Sequence, residues 1–368
     1  MSKNENDYGL SPGKSFEKIP APSIEYLPSK PKNYNPKIAL IGTGGISEYH
    51  LKAYQKCGFQ VTALVNRASG KAKALRDKYF PEASVHEDFQ EILTVDEIEV
   101  IDVTPHPSDR LPILYDCLNA GKHVLSQKPF VLDVNEGRKL ADLADSKGVN
   151  IAINQNGRWS PHFSYMRNAI EQGLIGEVAS IDFSLQWDQT WITGIPNFEK
   201  MDNLILFDFA IHWFDITACM MRDKKPNRIY ASTVRHARQS YKPPALASVI
   251  IDYPETQVRM SFNGHCTKGE KDATTIVGTA GTLRSHGPGL NDQPSMEIHL
   301  QDGSVHIPLE GSWFGSGFQG TMCELLCSIE EGRDPYHSAR NNLQTLELCF
   351  AAEKSVKLGK PVNFSNND

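Results

Sequence analysis

The 368-residue chain lacks several features that mark whole classes of protein. Its apolar runs are far too short to span a bilayer, and its opening MSKNENDYGLSPGKSFEKIP has no apolar centre of the kind a secretory signal needs. No long basic run occurs and the net charge is −6, which argues against a nucleic-acid partner. We therefore expect a cytoplasmic protein that acts on neither membranes nor nucleic acids.

Cysteine is scarce and irregularly spaced. There are seven cysteines, an odd number, and no C-x-x-C motif. The only close pair is Cys323 and Cys327, four residues apart on a predicted helix. This usage favours buried reduced thiols over disulfides or a thiolate metal site.

Three regions of different texture follow one another along the chain. Residues 1–36 are rich in proline and polar residues, which predicts either a tail or an arm that packs on a partner subunit. Residues 37–155 alternate short apolar strands with helical segments, the pattern of a doubly wound parallel sheet. Residues 156–368 carry strand-like segments without crossover helices, which predicts an α+β domain with a large, mostly antiparallel sheet. The closing helical segments are candidates to pack back on the first domain.

A glycine-rich loop follows the first predicted strand. The stretch IALIGTGGIS places Gly42 and Gly44 in a G-x-G-x-x-S pattern that ends at Ser47, where a helix is predicted to begin. Glycines let backbone N–H groups approach a pyrophosphate, and the helix N-terminus adds partial positive charge. The pattern therefore predicts a dinucleotide site formed by Gly42, Thr43, Gly44, Gly45 and Ile46; a purely structural turn is the alternative.

The end of the second predicted strand bears on the choice of cofactor. An acid roughly 20 residues beyond the glycines would bind the ribose 2′-hydroxyl of NAD. Asn66 and Arg67 stand there instead, and Lys71 and Lys73 add positive charge nearby. Because Arg67 can pair with a 2′-phosphate, the sequence favours NADP over NAD.

Lys128 closes the strand-like run GKHVLSQ, which is an unusual place for an ammonium group. Ligands bind at the carboxyl ends of parallel strands, so we expect Lys128 and the segment Thr104, Pro105 and His106 to lie beside the cofactor. The alternative is a lysine whose stem packs while its head reaches water.

Together these segments resemble a known family, the Gfo/Idh/MocA (glucose-fructose oxidoreductase and inositol dehydrogenase) oxidoreductases. The similarity rests on IALIGTGGISEYHLKAY, on VIDVTPHPSDRLPILYDCLNAGKHVLSQKPF, on FDFAIHWFDI and on the closing LQTLELCFAAEKSVKLGKPV, in the family's order. The resemblance implies a Rossmann domain followed by an α/β domain whose open sheet often mediates oligomers. It also implies a catalytic role for Lys128. Gln127, a further candidate cofactor contact, stands where the family usually has Glu, and His106 and Asp109 depart from its usual Asn and His.

Asp208 and His212 lie four residues apart, which on a helix places them on one face. The resemblance implies that His212 exchanges a proton with the substrate hydroxyl and that Asp208 binds substrate or orients the site. Asp215, three residues on, is a further candidate to reach His212. Spacing alone favours a packed core histidine for His212, whereas the lysine and glycine-loop motifs together favour the functional interpretation. No third metal ligand accompanies the pair, so no metal is predicted.

The substrate pocket is predicted from two stretches. In NQNGRWSPHF, Asn156, Arg158 and Trp159 are candidate substrate contacts, by resemblance. In QWDQTWITG, Trp187 and Trp191 are candidates for an aromatic wall that suits a sugar or polyol ring; simple packing of these tryptophans is the alternative. A solvated strand end is the favoured interpretation of Arg235, His236 and Arg238.

These expectations combine into an NAD(P)-dependent oxidoreductase acting on a sugar, polyol or related hydroxy compound. Its expected partners are the small-molecule substrate and further copies of itself in a dimer or tetramer. Two rivals stay open. One is a glycoside hydrolase of the same fold that recycles a tightly held NAD, and the other is a non-catalytic NAD(P) sensor. An intact Lys128, Asp208 and His212 set argues against the sensor, since a sensor needs no proton transfer.

Overall fold

The computed structural model describes residues 16–222 and 224–364, and its first part is built on a six-stranded parallel sheet. The strands are β1 (Lys37–Ile41), β2 (Gln60–Val65), β3 (Ser84–His86), β4 (Ile98–Val103), β5 (His123–Gln127) and β6 (Ile151–Asn154). Their order is β3-β2-β1-β4-β5-β6, and every neighbouring pair is parallel. This is the doubly wound Rossmann arrangement, so the predicted fold class is confirmed.

Helices connect these strands and cover the sheet. They are α1 (Ser47–Cys57), α2 (Ser69–Tyr79), α3 (Gln90–Leu93), α4 (Pro107–Asn119) and α5 (Val134–Lys147). Most strand residues are apolar because helices shield both faces of the sheet from water. Their carboxyl ends all point to one edge, where the loops after β1, β4 and β5 meet.

A nine-stranded mixed sheet forms the second part. Its strands are β7 (Val178–Gln186), β8 (Arg228–Val234), β9 (Leu246–Asp252), β10 (Gln257–Asn263), β11 (Lys271–Gly278), β12 (Gly281–Gly287), β13 (Ser295–Leu300), β14 (Gly303–Pro308) and β15 (Val362–Asn363). The order is β14-β13-β12-β11-β7-β10-β9-β8-β15. Only β7 and β10 pair in parallel; the other neighbouring pairs that are described run antiparallel.

The remaining helices lie between and around the two sheets, the longest two contacting β8 of the second sheet and α1 of the first part. They are α6 (Pro161–Glu171), α7 (Pro196–Glu199), α8 (Ile211–Met220), α9 (Trp313–Glu331) and α10 (Ala339–Leu358). Phe318 and Met322 of α9 share a core with Leu40 of β1 and Leu51 of α1. The last part of the chain therefore covers one face of the parallel sheet.

Residues 16–36 run along the surface of their own chain. Ile19 donates its N–H to Ser304 O at 3.1 Å, and Ser304 donates to Glu17 O at 2.8 Å, so the segment flanks edge strand β14. Further on, the Glu330 carboxylate accepts backbone N–H groups from Lys32, Asn33 and Tyr34 at 2.8, 2.6 and 3.0 Å. Residues 16–36 therefore pack on their own chain; residues 1–15 lie outside the described residues, and the choice between tail and arm stays a prediction.

Two properties of the described residues bear on function. No helix in this part of the chain is long and apolar enough to cross a membrane. All seven cysteines are described; none is in a disulfide, and five of them are buried.

Candidate active site

The glycine loop turns directly after β1. Gly42 has φ +93°, which favours glycine, and a Cβ there would lie 2.5 Å from Thr104 Oγ1. That hydroxyl donates to Ile41 O and Gly42 O, 3.0 and 2.9 Å away. Pro105 contacts the same glycine, its Cδ lying 3.0 Å from the added Cβ position. The loop after β4 thus fixes the path of the loop after β1.

The loop has the features that a pyrophosphate needs. A Cβ placed on Gly44 or Gly45 would meet nothing within 4 Å, so open space adjoins both. Thr43 Oγ1 is buried and has no hydrogen-bond partner among the described residues. Helix α1 begins at Ser47 without a side-chain cap on its first N–H groups. These donors and this space fit a dinucleotide phosphate, which a helix N-terminus also attracts.

Residues beyond β2 and β4 border the same loop. Asn66 Oδ1 accepts the Thr43 N–H at 3.4 Å. The Arg67 side chain is 89% exposed, and its guanidinium lies 3.6 Å from the Asp109 carboxylate. His106 is exposed and directly precedes α4. Arg67 is therefore available to a ligand, although Asp109 competes for its charge.

Lys128 comes directly after β5 and meets the second part of the molecule. Its Nζ donates to Asp208 O at 2.7 Å and lies 3.2 Å from Asp208 Oδ1. The Lys128–Pro129 peptide bond is cis. The buried guanidinium of Arg110 donates to the carbonyls of Gln127 and Pro129, on either side of the lysine. Backbone contacts on both sides thus hold the segment that carries Lys128.

Asp208 and His212 lie on either side of a change in helix type. Asp208 belongs to a π-helical stretch, Ile205–Phe209, that runs into α8, where His212 lies. His212 is half-buried, its Nδ1 has no partner among the described residues, and its ring stands edge-on to Trp313 at 5.5 Å. Burial and the neighbouring Lys128 charge hold the pKa of His212 well below its usual range. The imidazole is therefore neutral at physiological pH.

Comparisons with known proteins agree with this geometry. The family profile described as "Oxidoreductase family, NAD-binding Rossmann fold" matches residues 36–155, and "GFO/IDH/MocA C-terminal domain" matches 163–284. The uncharacterized oxidoreductase YdgJ of Escherichia coli is 31% identical over 262 residues, which cover 69% of this chain and 72% of that protein. The chain belongs to the Gfo/Idh/MocA family. It is an oxidoreductase with an NAD-binding Rossmann domain, as the sequence predicts.

More distant members align over most of their length. D-apiose dehydrogenase from Paraburkholderia graminis is 24% identical over 349 residues, 90% of each chain. Inositol 2-dehydrogenase from Rhizobium meliloti is 21% identical over 87% of this chain and 96% of its own. An Agrobacterium radiobacter oxidoreductase solved with NAD+, L-tartaric acid and magnesium superposes with a TM-score of 0.80 at 19% identity, covering 90% of this chain and 98% of that one. That structural likeness shows the shared fold.

Arg158, a predicted substrate contact, instead forms a buried ion pair with Asp215. Its Nε and Nη2 donate to the two Asp215 carboxylate oxygens at 2.7 and 2.6 Å, with both side chains buried. Thr345 Oγ1 donates to Asp215 as well, at 2.9 Å. The substrate-binding prediction for Arg158 is therefore wrong, and so is the expectation that Asp215 reaches His212. This bidentate pair joins the loop after β6 to α8.

Asn156 and Trp159 also face the interior. Asn156 Oδ1 accepts the indole N–H of Trp313 at 3.2 Å. Trp159 is buried against α9, where a Cβ on Gly320 would lie 2.1 Å from its ring, and it packs edge-on against His337. These contacts contradict the predicted substrate contact for Trp159. Asn156 orients Trp313, the indole that contacts His212.

The two tryptophans of the predicted aromatic wall differ. Trp187 is buried and stacks on Phe209 with ring centroids 3.9 Å apart. Phe209 directly follows Asp208 in the chain. Trp191 is 62% exposed and touches Phe198 edge-on. Trp187 is thus a packed core residue, whereas the exposed Trp191 is accessible to a ligand.

Three buried polar residues near Lys128 were missed by the sequence reasoning. They are His50 on α1, Asp102 in β4 and Arg110 on α4, each 0% exposed. Burial lowers the pKa of Arg110 to about 9, which leaves it charged at neutral pH. A signal existed for one of them, because a carboxylate within the apolar strand IEVIDV must find a buried partner.

Proposed function

We propose that this oxidoreductase transfers a hydride between NAD(P) and a CH–OH carbon of a sugar, polyol or related hydroxy compound. One observation carries the proposal: the Lys128 ammonium lies 3.2 Å from Asp208 Oδ1, at the edge of the sheet where the glycine loop lies. Burial and the charge of this ammonium together lower the pKa of His212. A neutral base and an oriented cation beside the reacting oxygen are what alcohol oxidation requires. The named activities of the D-apiose and inositol dehydrogenases support the substrate class.

Each side chain then has a distinct role. The bound cofactor supplies the hydride acceptor or donor. The neutral His212 accepts the hydroxyl proton, which we assign to Nε2 because Nδ1 is buried. Lys128 donates a hydrogen bond to the same substrate oxygen and stabilises the negative charge that develops on it. Asp208 holds the Lys128 ammonium in place.

A substrate screen with two variants tests this proposal. Purified protein is assayed with NAD and NADP against aldoses and polyols while nicotinamide absorbance is followed. His212→Asn and Lys128→Met should each lower kcat by about 10²–10⁴-fold, with cofactor affinity nearly unchanged. The exposed His306 and Lys147 supply the matched controls His306→Asn and Lys147→Met. Full turnover in Lys128→Met or His212→Asn would refute the assigned roles.

We also infer a preference for NADP. Asn66 offers no carboxylate to bind a ribose 2′-hydroxyl, and the exposed Arg67 can pair with a 2′-phosphate. Arg67→Gln should then weaken NADP binding by roughly tenfold, since a charged hydrogen bond is lost, and leave NAD binding unchanged. Titration of the protein with both cofactors measures this, and tighter binding of NAD than of NADP by the unmodified protein would contradict it.

We propose the division at residue 155 into a dinucleotide-binding domain and a substrate domain. Assembly into a dimer or tetramer through the second sheet, and a cytoplasmic location, are likewise proposed. Light scattering on the purified protein measures the assembly state.

A further inference from the structure

A buried hydrogen-bonded chain runs from β4 to the backbone of Lys128. The Lys128 N–H donates to Gln127 Oε1 at 2.6 Å. The amide nitrogen of Gln127 lies 3.1 Å from His50 Nε2, and His50 Nδ1 lies 2.7 Å from Asp102 Oδ2. Tyr54 donates its hydroxyl to the same carboxylate oxygen at 2.6 Å. His50, Asp102 and Tyr54 have no part in the proposed transfer of proton and hydride.

The chemistry of the groups fixes the direction of every bond. A backbone N–H can only donate, so the Gln127 oxygen must face Lys128 and its NH2 must face His50. His50 Nε2 therefore accepts, and the ring proton sits on Nδ1 facing Asp102. Asn154 also directs its NH2 at Nε2, from 3.0 Å. The neutral Nδ1–H tautomer of His50 is thus the one form that satisfies all of its neighbours.

The same segment is held from its other side. Arg110 donates to the carbonyls that flank Lys128, while Gln127 holds the Lys128 N–H. The peptide group that precedes Lys128 and the carbonyl of Pro129 are consequently fixed by side chains that are themselves buried. The backbone of Lys128 is thus held where its Nζ can reach Asp208.

We propose that His50 is a positioning residue, which orients the Gln127 amide and through it fixes Lys128 against Asp208. Asp102 sets the tautomer of His50, and the lone pair of Nε2 sets the orientation of Gln127. This inference rests on the proposed function of Lys128. It also accounts for the glutamine that replaces the family's usual glutamate: a carboxylate would repel the acceptor nitrogen of a neutral His50, whereas an amide donates to it.

Two substitutions separate positioning from structural support. His50→Asn keeps a donor near the Nδ1 position, facing Asp102, and removes the acceptor for Gln127. His50→Gln keeps an acceptor near the Nε2 position and removes the donor to Asp102. We expect His50→Asn to lower kcat by up to about 10²-fold, the effect of a misplacement near 1 Å, with KM for the cofactor unchanged. His50→Gln should retain most of kcat but unfold at a lower temperature.

A residue that only supports the fold would give a different pattern. In that case both variants would lose kcat in proportion to their loss of stability. Equal kcat losses in the two variants, or a kcat within about twofold of wild type in His50→Asn, would therefore overturn the proposal. If either variant fails to fold, Gln127→Met tests the same link, because it removes the oxygen that holds the Lys128 N–H; an unchanged kcat there is also decisive against the proposal.

Lys128→Met distinguishes this inference from the function on which it rests. In a Lys128→Met background, adding His50→Asn should cause no further loss, because the group being positioned is gone. If Lys128→Met alone leaves kcat intact, the proposed function fails whatever His50 does. If Lys128→Met abolishes turnover while His50→Asn is harmless, only the positioning role fails.

Discussion

At the residue scale, Arg158 shows that a charged side chain in a polar loop can be buried and stabilise the core through an ion pair. Arg158 and Asp215 are 2% and 1% exposed and pair through two hydrogen bonds. Burial opposes the charge on Arg158, but the Asp215 carboxylate outweighs it and raises the pKa of Arg158 above its usual value. Neither charge has water to solvate it if the other is removed.

Asp215→Asn should therefore destabilise the protein by about 3–5 kcal/mol, because it leaves the guanidinium of Arg158 buried without a counter-charge. The free energy of unfolding in urea measures the effect. Arg340→Ala is the matched control, since Arg340 pairs with Asp142 and Asp145 on the surface, and its loss should cost at most about 1 kcal/mol. Equal costs for the two variants would contradict a structural role for the buried pair.

Sequence reasoning succeeds for residues that lie in a recognisable local frame. The glycine loop and Lys128 each follow an apolar strand, so the edge of the sheet on which they meet is predictable. Arg158 also follows a strand, but its direction depends on Asp215, which lies 57 positions away in the chain. His50 on α1 was missed for a similar reason, since its partners Asp102 and Gln127 lie on β4 and β5. Spacing within a segment carries no information about such partners.

At the element scale, the close contact between α9 and the 3-10 turn Asn156–Trp159 depends on small residues. A Cβ on Gly317 would lie 2.6 Å from Asn156 O, and one on Gly320 would lie 2.1 Å from the Trp159 ring. Both glycines are within α9, where glycine otherwise lowers helix stability. Their presence is explained by the approach of the turn.

Gly320→Ala should accordingly destabilise the protein by roughly 1–3 kcal/mol through overpacking, despite the better helix propensity of alanine. Gly70 on α2 provides the control, because a Cβ there meets nothing within 4 Å. Gly70→Ala should be neutral or stabilise by up to about 1 kcal/mol. Thermal unfolding of both variants measures the contrast, and a stabilised Gly320→Ala protein would show that the turn can move away.

The π-helical stretch is an element that the sequence did not predict. The segment LFDFAIHWFDI reads as an ordinary helix, and its Asp-x-x-x-His spacing suggests one shared face. In the structure, Ile205–Phe209 forms a wider turn, so that both the carbonyl and the carboxylate of Asp208 meet Lys128. Such turns occur frequently at functional sites. The parallel pairing of β7 with β10 was equally invisible, because their partnership is set by long-range packing.

At the scale of the whole molecule, buried titratable groups link stability to pH. Burial lowers the pKa of His162 to about 3, and it holds the pKa values of His337 and His212 well below their usual range. An unfolded histidine binds its proton near pH 6.5. Below that pH these three histidines bind protons in the unfolded chain but stay neutral in the folded chain. They therefore favour unfolding as the pH falls.

Asp272 acts in the opposite direction. Burial raises the pKa of its carboxyl to about 7, so the folded chain keeps a proton that the unfolded chain has released. The contribution of Asp272 to stability is therefore largest at low pH and is lost as the pH rises toward 7. Among these four groups it offsets one of the three histidine protons, which leaves them a net difference of about two protons between the unfolded and folded states around pH 5.

The contribution of these four groups to stability should consequently fall by about 2.7 kcal/mol for each unit of acidification around pH 5, at 1.36 kcal/mol per proton. Urea unfolding at a series of pH values measures this slope. His162→Gln should reduce the slope by about one proton, because its imidazole is enclosed between Ser160 and Phe163 and gains no partner on protonation. His306→Gln changes an exposed histidine and should leave the slope unchanged. A stability that is flat or rises on acidification would mean that the buried imidazoles are solvated in the folded protein.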